Sequence, residues 1–216
     1  MIKETKKHLY IALCLLTAFL LWTVLVSCVD VQAIGPRKSA VGFATMNVLF
    51  HDLTGVHMTL YTITDWLGLV PIGFMLGFAV LGLVQWVKRR KLRLVDLSIL
   101  FLGGFYLVVL AVYLLFEEWV INYRPVLIEG ILEASYPSST TMLALCIMPT
   151  AIMQLHSRLG NCILKRSITG IMVVFTVFMV IGRFLSGVHW VSDIIGGILL
   201  STGLVRMYAY LIYRTQ

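Results

Sequence analysis

Three side chains that could act together on an anion lie within eleven positions near the C-terminal end of the chain. The stretch GRFLSGVHWVSD (182–193) places Arg183, His189 and Asp193 in otherwise apolar surroundings. His189 and Asp193 are four residues apart, so on a helix they lie one turn apart on one face. The carboxylate can then fix the imidazole tautomer and leave the other ring nitrogen free to attack, while a guanidinium holds an anionic group in front of it. A histidine satisfied by its neighbour, with Arg183 extending towards water, is the structural alternative.

A second polar stretch, NYRPVLIEGILEASYPSSTT (122–141), supplies further groups that can bind an anion. Arg124 stands before a proline, and Pro137 precedes Ser138 and Ser139 at the start of an apolar run. Proline at a helix start leaves the following backbone N–H groups unpaired, and such helix N-termini bind phosphate. Ordinary capping of the helix by either serine explains the same residues without a ligand. Together the two stretches offer two arginines, a donor-rich helix start and an oriented histidine, which favours an oxyanion of phosphate type.

Long apolar runs must position these residues. The chain has 216 residues, of which 60% are hydrophobic and 12% charged, and its mean hydropathy of +0.95 is typical of a membrane protein. Six runs can cross about 30 Å of hydrocarbon as helices; they lie near 9–29, 67–87, 95–116, 138–156, 167–182 and 190–213. The predicted fold is therefore all-α, a bundle of six transmembrane helices. No repeat divides the chain, so we expect one membrane-embedded domain over 1–216, with its core motifs within 117–193.

Basic residues set the predicted orientation. The net charge of +7 comes from short clusters rather than from one continuous basic face, so we expect no nucleic-acid partner. If six helices alternate, all of the clusters fall on the cytoplasmic side, and both termini lie there too. These clusters are at 3–7, 88–93, 158–166 and Arg214. The candidate site then lies at the extracytoplasmic face, in the connections 30–66, 117–137 and 183–189.

The outer connection 30–66 is too long for a simple turn. Its stretch AVGFATMNVLF (40–50) is mildly apolar, and both an interfacial helix and an ordered loop over the helix ends fit it. Small residues four apart in the last run, Gly197 and Ser201, predict a close helix contact. Gly103 and Gly104 in the third run suggest another.

The four cysteines show no paired spacing, so neither a metal site nor a disulfide framework is predicted, and buried thiols are expected. They are Cys14, Cys28, Cys146 and Cys162. LVSC (25–28), which follows basic residues and an apolar stretch, is similar to a bacterial lipoprotein cleavage site with Cys28 as the lipidated residue. A retained first helix and a cleaved one are both compatible with this pattern, and both leave the outer face outside.

From about residue 60 onward the chain resembles the type 2 phosphatidic acid phosphatase superfamily, the membrane lipid phosphate phosphatases, which have a six-helix membrane core. Those enzymes carry the motifs K-x-x-x-x-x-x-R-P, P-S-G-H and S-R-x-x-x-x-x-H-x-x-x-D. The third motif matches Arg183, His189 and Asp193 at the right spacing, with Gly182 in the serine position. The first motif keeps Arg124-Pro125, and the second keeps Pro137-Ser138.

The resemblance implies a multi-pass phosphatase of the cell membrane, expected to be a bacterial plasma membrane, that acts at the outer face without metal or other cofactor. His189 would attack phosphorus and form a phosphohistidine, and Asp193 would orient it. A set of donors would hold the phosphoryl oxygens of a lipid phosphate or lipid diphosphate. These are Arg124, Arg183, Ser138, Ser139 and Gly187.

Two positions depart from the family pattern. Glu117 stands where the first motif has lysine, and Thr140 where the second has the histidine that protonates the leaving group. Threonine is no acid at neutral pH, so a general-acid contribution of about 10²- to 10⁴-fold is missing. A lipid monophosphate leaves a diphosphate with less help than a lipid alkoxide needs, which favours a polyprenyl-type diphosphate over phosphatidic acid.

The anion at Glu117 is harder to reconcile with a phosphate substrate, because it repels one. Four glutamates lie in or beside the same outer loop: Glu117, Glu118, Glu129 and Glu133. They could be solvated, recruit a divalent cation, or supply the missing acid, and the sequence leaves these alternatives open.

Two functions therefore compete. One is a lipid phosphatase or diphosphatase with His189 as nucleophile. The other is a catalytically impaired relative that binds lipid phosphates or acts as a scaffold, which Thr140 and Glu117 favour. The retention of Arg183, His189 and Asp193 together favours the enzyme. A small transporter is a weaker interpretation, because no matching pair of charged or broken helices lies at mid-membrane depth.

Overall fold

The computed structural model describes residues 2–160 and 163–215, and within them every regular element is a helix. The all-α prediction is confirmed. The helices are α1 (Ile2–Cys28), α2 (Ala44–Thr54), α3 (Met58–Leu67), α4 (Leu69–Arg89), α5 (Leu97–Glu118), α6 (Ser139–Arg158), α7 (Ile163–Leu185) and α8 (Val191–Arg214). Short 3₁₀ turns lie at Pro36–Lys38 and Leu92–Leu94. Cys162 lies outside the described residues, as does the side chain of Lys3 in the first basic cluster.

Five stretches are long and apolar enough to cross a membrane: Thr5–Cys28, Met58–Arg89, Leu97–Glu118, Ile163–Leu185 and Val191–Arg214. The second begins nine residues before the predicted run at 67. The reason is that Gly68 keeps helical dihedral angles (φ −58°, ψ −20°), so α3 continues almost directly into α4. Residues 58–66, which the sequence interpretation assigned to an outer connection, are therefore helical.

The fourth predicted run, 138–156, forms the helix α6, but it is not apolar enough to count among the five spans. It contacts α4, α5, α7 and α8, and its polar side chains are buried against them. Thr150 donates to the Cys146 carbonyl at 2.8 Å, and Gln154 donates to the Ser98 carbonyl at 3.1 Å. A helix in the interior of a bundle can carry such residues because protein groups satisfy them. A sixth crossing and cytoplasmic termini remain predictions.

Helix α1 packs along α8 and is an integral part of the bundle. The Trp22 indole N–H donates to the Ser192 carbonyl at 3.0 Å, and the Thr23 hydroxyl lies 2.7 Å from the Tyr136 hydroxyl. These contacts favour a retained first helix over cleavage after residue 27. Cys14 and Cys28 are exposed, so the expectation of buried thiols holds only for Cys146 among the described cysteines.

The close contact expected for the last run is present between α6 and α8. A Cβ atom added to Gly197 would lie 3.3 Å from the Ser138 carbonyl oxygen, and the Ser201 hydroxyl donates to the Met142 carbonyl at 3.5 Å. The corresponding expectation for Gly103 and Gly104 is wrong. Both face open space and line an apolar groove of about 650 Å³ between α4 and α5.

The stretch 40–50 contains a helix, α2, which begins at Ala44. Its buried residues, Ala44 and Asn47, face the bundle, whereas Leu49 and Leu53 are among its exposed apolar side chains. This two-faced helix fits an interfacial position, with one side on the protein and the other on lipid.

We expect Gly42→Ala to lower the thermal stability of the protein in detergent. The new Cβ would lie 1.5 Å from the Val26 carbonyl oxygen, so the end of α1 must shift, which costs about 1–3 kcal/mol. Gly104→Ala is the matched control, because nothing lies within 4 Å of its Cβ position. Thermal unfolding of both variants would measure the difference, and equal stability would contradict the packing described for residue 42.

Candidate active site

His189 lies in the short link between α7 and α8 and is only 4% exposed. Its two ring nitrogens face different neighbours. Nδ1 is 3.0 Å from the Ser135 hydroxyl, and Nε2 is 3.1 Å from Nη1 of Arg124. Both neighbours belong to the loop between α5 and α6, so this loop and the α7–α8 link meet at the imidazole.

Asp193 lies in the first turn of α8 and is fully buried. Its carboxylate accepts hydrogen bonds from the Trp190 backbone N–H at 3.0 Å, from the Asn122 amide at 3.1 Å and from the Ser135 hydroxyl at 2.5 Å. The distance from Oδ2 to Nδ1 of His189 is 4.0 Å, too long for a hydrogen bond. The expected direct contact between the two side chains is therefore absent, because the Ser135 hydroxyl stands between them.

Arg124 is 7% exposed and points into the same cluster. Its Nε lies 3.0 Å from the Glu133 carboxylate, and its backbone N–H donates to the Glu133 carbonyl at 3.1 Å. The α5–α6 loop thus folds back on itself, and Glu133 of this loop is the counterion of Arg124. Glu133 is ion-paired rather than simply solvated, whereas Glu117 and Glu118 are exposed. Across residues 2–160 and 163–215, no three His, Cys, Asp or Glu side chains form a metal-binding group.

Arg183, in the last turn of α7, is 1% exposed. Its Nη2 donates to the Asp65 carboxylate at 2.9 Å and to the Thr140 hydroxyl at 2.6 Å. Its Nη1 donates to the Thr64 hydroxyl at 3.3 Å. The alternative in which Arg183 extends towards water is therefore wrong, because the side chain points into the bundle.

Tyr61 lies beside both arginines. The guanidinium carbon of Arg183 is 4.7 Å from the centre of the Tyr61 ring, and that of Arg124 is 5.9 Å away. The aromatic ring attracts each cation and offsets part of their mutual repulsion. The two predicted phosphate-binding arginines are thus held around one residue of α3.

Sequence reasoning missed the contribution of α3, because it placed residues up to 66 in a connection. The signal was present in the spacing of Tyr61, Thr64 and Asp65, which lie at i, i+3 and i+4 and share one helical face. Gly182 stands in the family's serine position because α3 approaches closely there. A Cβ atom at Gly182 would lie 2.7 Å from Cγ2 of Thr64.

The predicted serines occupy different positions. Ser138 is the N-cap residue of α6, but its hydroxyl makes no cap hydrogen bond, and its backbone N–H donates to the Asp193 carbonyl at 3.1 Å. Its Oγ is buried without a hydrogen-bond partner among the described residues, as is Nε of Arg183. Ser139 borders a small cleft together with Glu117 and Ser135.

Gly187 lies against the segment that precedes α3. It has φ of +67°, and its N–H donates to the Phe184 carbonyl at 3.3 Å. A Cβ atom here would lie 1.9 Å from the Gly55 carbonyl oxygen. Glycine is needed so that the α7–α8 link can turn against the segment before α3, and its N–H is already engaged.

A second polar network, also missed, supports Asp193 from the side of α2. The Asn47 amide donates to the Ser192 hydroxyl at 2.9 Å, and the Gly42 N–H donates to the Asn122 side-chain oxygen at 3.1 Å. Asn47 and Asn122 are fully buried. Asn47 stands in the mildly apolar stretch 40–50, which was the available signal, since buried amides need partners.

The electrostatics favour a neutral imidazole. Burial lowers the pKa of His189 well below its ordinary value, and the positive charges of Arg124 and Arg183 lower the pKa further. An arginine has only donors, so Nε2, which faces Arg124, must carry a lone pair. A neutral ring with an unprotonated Nε2 is the form of histidine that can act as a nucleophile.

The fold and the site together define an all-helical membrane protein with a buried cluster of arginine, histidine and aspartate. The sequence model of the PAP2 superfamily matches residues 115–216, which confirms the resemblance seen in the sequence. The crystal structure of a transmembrane PAP2 type phosphatidylglycerolphosphate phosphatase from Bacillus subtilis has a similar fold. The TM-score is 0.57 at 21% identity over 96% of this chain and 98% of that one. No curated protein sequence matches the chain.

Glu133→Gln should strengthen the binding of orthovanadate, used as a phosphate mimic. The substitution removes a carboxylate that competes for the Arg124 guanidinium, and we expect an affinity gain of about two- to fivefold. Glu118→Gln removes the same charge from an exposed position and should leave affinity unchanged. Calorimetric titration of the purified proteins gives both constants. Weaker binding by Glu133→Gln would contradict a competing role for the carboxylate.

Stability should depend on pH through His189. The unfolded chain takes up a proton on this residue near pH 6.5, whereas the folded chain does not because its pKa is lowered. The stability contributed by the neutral ring is therefore present above that pH and declines as the pH falls below it. Between pH 7.5 and 5.5 the wild type should lose about 1 kcal/mol more than His189→Gln. His156→Gln, at an exposed position, should behave as the wild type in thermal unfolding.

Proposed function

We propose that the protein is a membrane lipid phosphatase or diphosphatase that works through a phosphohistidine on His189. The observation that carries this proposal is the 3.1 Å contact between Nη1 of Arg124 and Nε2 of His189, beside an equally buried Arg183. A phosphoryl group in front of Nε2 would lie within reach of two guanidinium groups. Members of the PAP2 superfamily are phosphatases, which supports the same reaction class.

The resting site explains how substrate would enter. Arg124 caps Nε2, and each arginine has a carboxylate partner, Glu133 or Asp65. A substrate phosphate replaces these partners: Arg124 moves from Nε2 to a phosphoryl oxygen. The unpaired Ser138 hydroxyl and Arg183 Nε supply two further donors. Preset donors of this kind stabilise the charge on a transferring phosphoryl group.

The reaction then has two steps. Nε2 of His189 forms a bond to phosphorus while the bond from phosphorus to the leaving oxygen breaks, and the electron pair departs with that oxygen. Water hydrolyses the phosphohistidine and regenerates the neutral ring. Asp193 stabilises the positive charge that the ring carries between the two steps.

The position of Thr140 bears on the choice of substrate. Its hydroxyl is held by Nη2 of Arg183 at 2.6 Å, so it serves as an acceptor for the arginine and not as an acid. A leaving group that needs no proton is therefore favoured, and a lipid diphosphate of polyprenyl type fits better than phosphatidic acid. The related Bacillus subtilis protein is a phosphatidylglycerolphosphate phosphatase, so we include that lipid in the test.

The proposed location is the outer face of a bacterial plasma membrane, with six crossings and both termini inside. Support comes from the separation of charges along the bundle. The predicted cytoplasmic clusters meet at one end, where Arg89 and Arg158 lie 3.0 and 3.7 Å from Asp96. The cluster around His189 is formed at the opposite helix ends, where α5 and α7 end and α6 and α8 begin.

His189→Ala should abolish phosphate release, at least about a thousandfold, because no nucleophile remains. Purified protein is given a polyprenyl diphosphate, phosphatidylglycerol phosphate and phosphatidic acid, with and without Mg²⁺, and released phosphate is measured. Orthovanadate should inhibit the wild type. His156→Ala, at the exposed end of α6, is the control and should retain activity.

Two results would overturn the proposal. Full hydrolysis by His189→Ala would exclude the phosphohistidine. A wild type that binds orthovanadate but releases no phosphate from any of these lipids would instead identify a binding protein that has lost the reaction.

A further inference from the structure

We infer that Ser135 is a positioning residue whose hydroxyl connects the His189 imidazole to the Asp193 carboxylate. This inference rests on the proposed function, since it assigns a role within the same site. The sequence motif suggests a direct contact between His189 and Asp193. In the structure the two side chains are connected through the Ser135 hydroxyl, which lies between them. The Ser135 side chain would thereby orient the His189 ring and connect it to the charge of the carboxylate.

The distances leave one arrangement of protons. The Ser135 Oγ lies 2.5 Å from Oδ2 of Asp193 and 3.0 Å from Nδ1 of His189, whereas Nδ1 and Oδ2 are 4.0 Å apart. An ionised carboxylate only accepts hydrogen bonds, and here it also accepts from the Trp190 N–H and the Asn122 amide. The serine proton therefore points to Asp193, and the Ser135 oxygen accepts the proton carried by Nδ1.

The other side of the ring requires the same tautomer independently. Nε2 faces a guanidinium nitrogen of Arg124, which can only donate. Nδ1 therefore carries the hydrogen and Nε2 the lone pair. If Ser135 lost its hydroxyl, Nδ1 would lose its connection to Asp193, whose Oδ2 is 4.0 Å away, and would keep only its interaction with the Ser135 backbone, so the hydrogen bond of Nδ1 would weaken.

The surroundings fix Ser135 in place. Its side chain is buried, with 2% exposure of the residue, and its backbone N–H donates to the Asn122 carbonyl at 2.9 Å. The following residue, Tyr136, is tied to Thr23 of α1 at 2.7 Å and packs against Gly196 of α8. Because these contacts fix the backbone around Ser135, its hydroxyl loses little conformational freedom when it forms its two hydrogen bonds.

During the first chemical step, Nε2 bonds to phosphorus and the ring becomes positively charged. The Nδ1 hydrogen stays on the ring and strengthens its hydrogen bond to Ser135, whose own hydroxyl points to the negative Asp193. No proton has to cross the serine. Its contribution is to orient the ring and to transmit the stabilising charge of the carboxylate.

The test compares Ser135→Ala with Ser201→Ala. Ser201 is a buried serine of α8, about two turns after Asp193 and outside the site. We expect Ser135→Ala to lower kcat by about 10- to 100-fold with KM changed by less than about twofold. Ser201→Ala should match the wild type. Ser135→Cys keeps the side-chain shape with a much weaker hydrogen-bonding group, and it serves if the alanine variant does not fold.

A second measurement reads the tautomer directly. ¹⁵N-histidine NMR of the detergent-solubilised proteins, with the His189 signals identified by their loss in His189→Gln, should show hydrogen on Nδ1 in the wild type. The Nδ1–H signal should shift towards that of a weaker hydrogen bond in Ser135→Ala and stay in place in Ser201→Ala. An unchanged Nδ1–H signal in Ser135→Ala, with or without a fall in kcat, overturns the inference, as does an unchanged kcat.

The two proposals can fail separately. If the wild type releases phosphate from no lipid but Ser135→Ala still shifts the Nδ1–H signal of His189, the hydrogen-bonded chain stands and the proposed function fails. If hydrolysis depends on His189 while Ser135→Ala leaves both readouts unchanged, the function stands and the role of Ser135 fails.

Discussion

Two guanidinium groups buried at one end of an apolar helix bundle are the constraint on which the rest of this structure depends. A buried cation without a partner is strongly destabilising, so each arginine must be given one by the surrounding chain. Arg124 receives Glu133 from its own loop, and Arg183 receives Asp65 from α3. Tyr61 lies against both cations. These requirements determine how the α5–α6 loop folds back and why α3 leans against α7.

The same partners give the site its chemical character. Because the protein's own carboxylates pair with the arginines, the cluster has counterions of its own, and in the proposed reaction a substrate phosphate would exchange one anion for another. Burial, together with the nearby positive charge of Arg124 and Arg183, lowers the pKa of His189 and keeps the imidazole neutral. Under the proposed function, the arginines that would attract the substrate thus also help to keep the nucleophile unprotonated.

Sequence patterns predicted the apolar helices well because hydropathy and length are local properties. They also identified Arg124, Arg183, His189 and Asp193 through type and spacing. They did not find Ser135, because a short polar side chain in a loop carries no local signal of what it will contact. They missed Asp65 because residues up to 66 were assigned to a connection, whereas they belong to α3. The predicted start of the second span was too late, because Gly68 has helical angles and α3 continues almost directly into α4. Long-range partners depend on which helix faces meet, and one sequence does not show this.

The contacts between α1 and the rest of the site have a consequence for biosynthesis. Trp22 bonds to the backbone of Ser192, and Thr23 bonds to Tyr136 next to Ser135. Helix α1 is synthesised before α8 and is tied to it, and the intervening loop is anchored only when both are present. A nascent chain therefore cannot assemble the histidine site until α8 has been synthesised and has docked against α1.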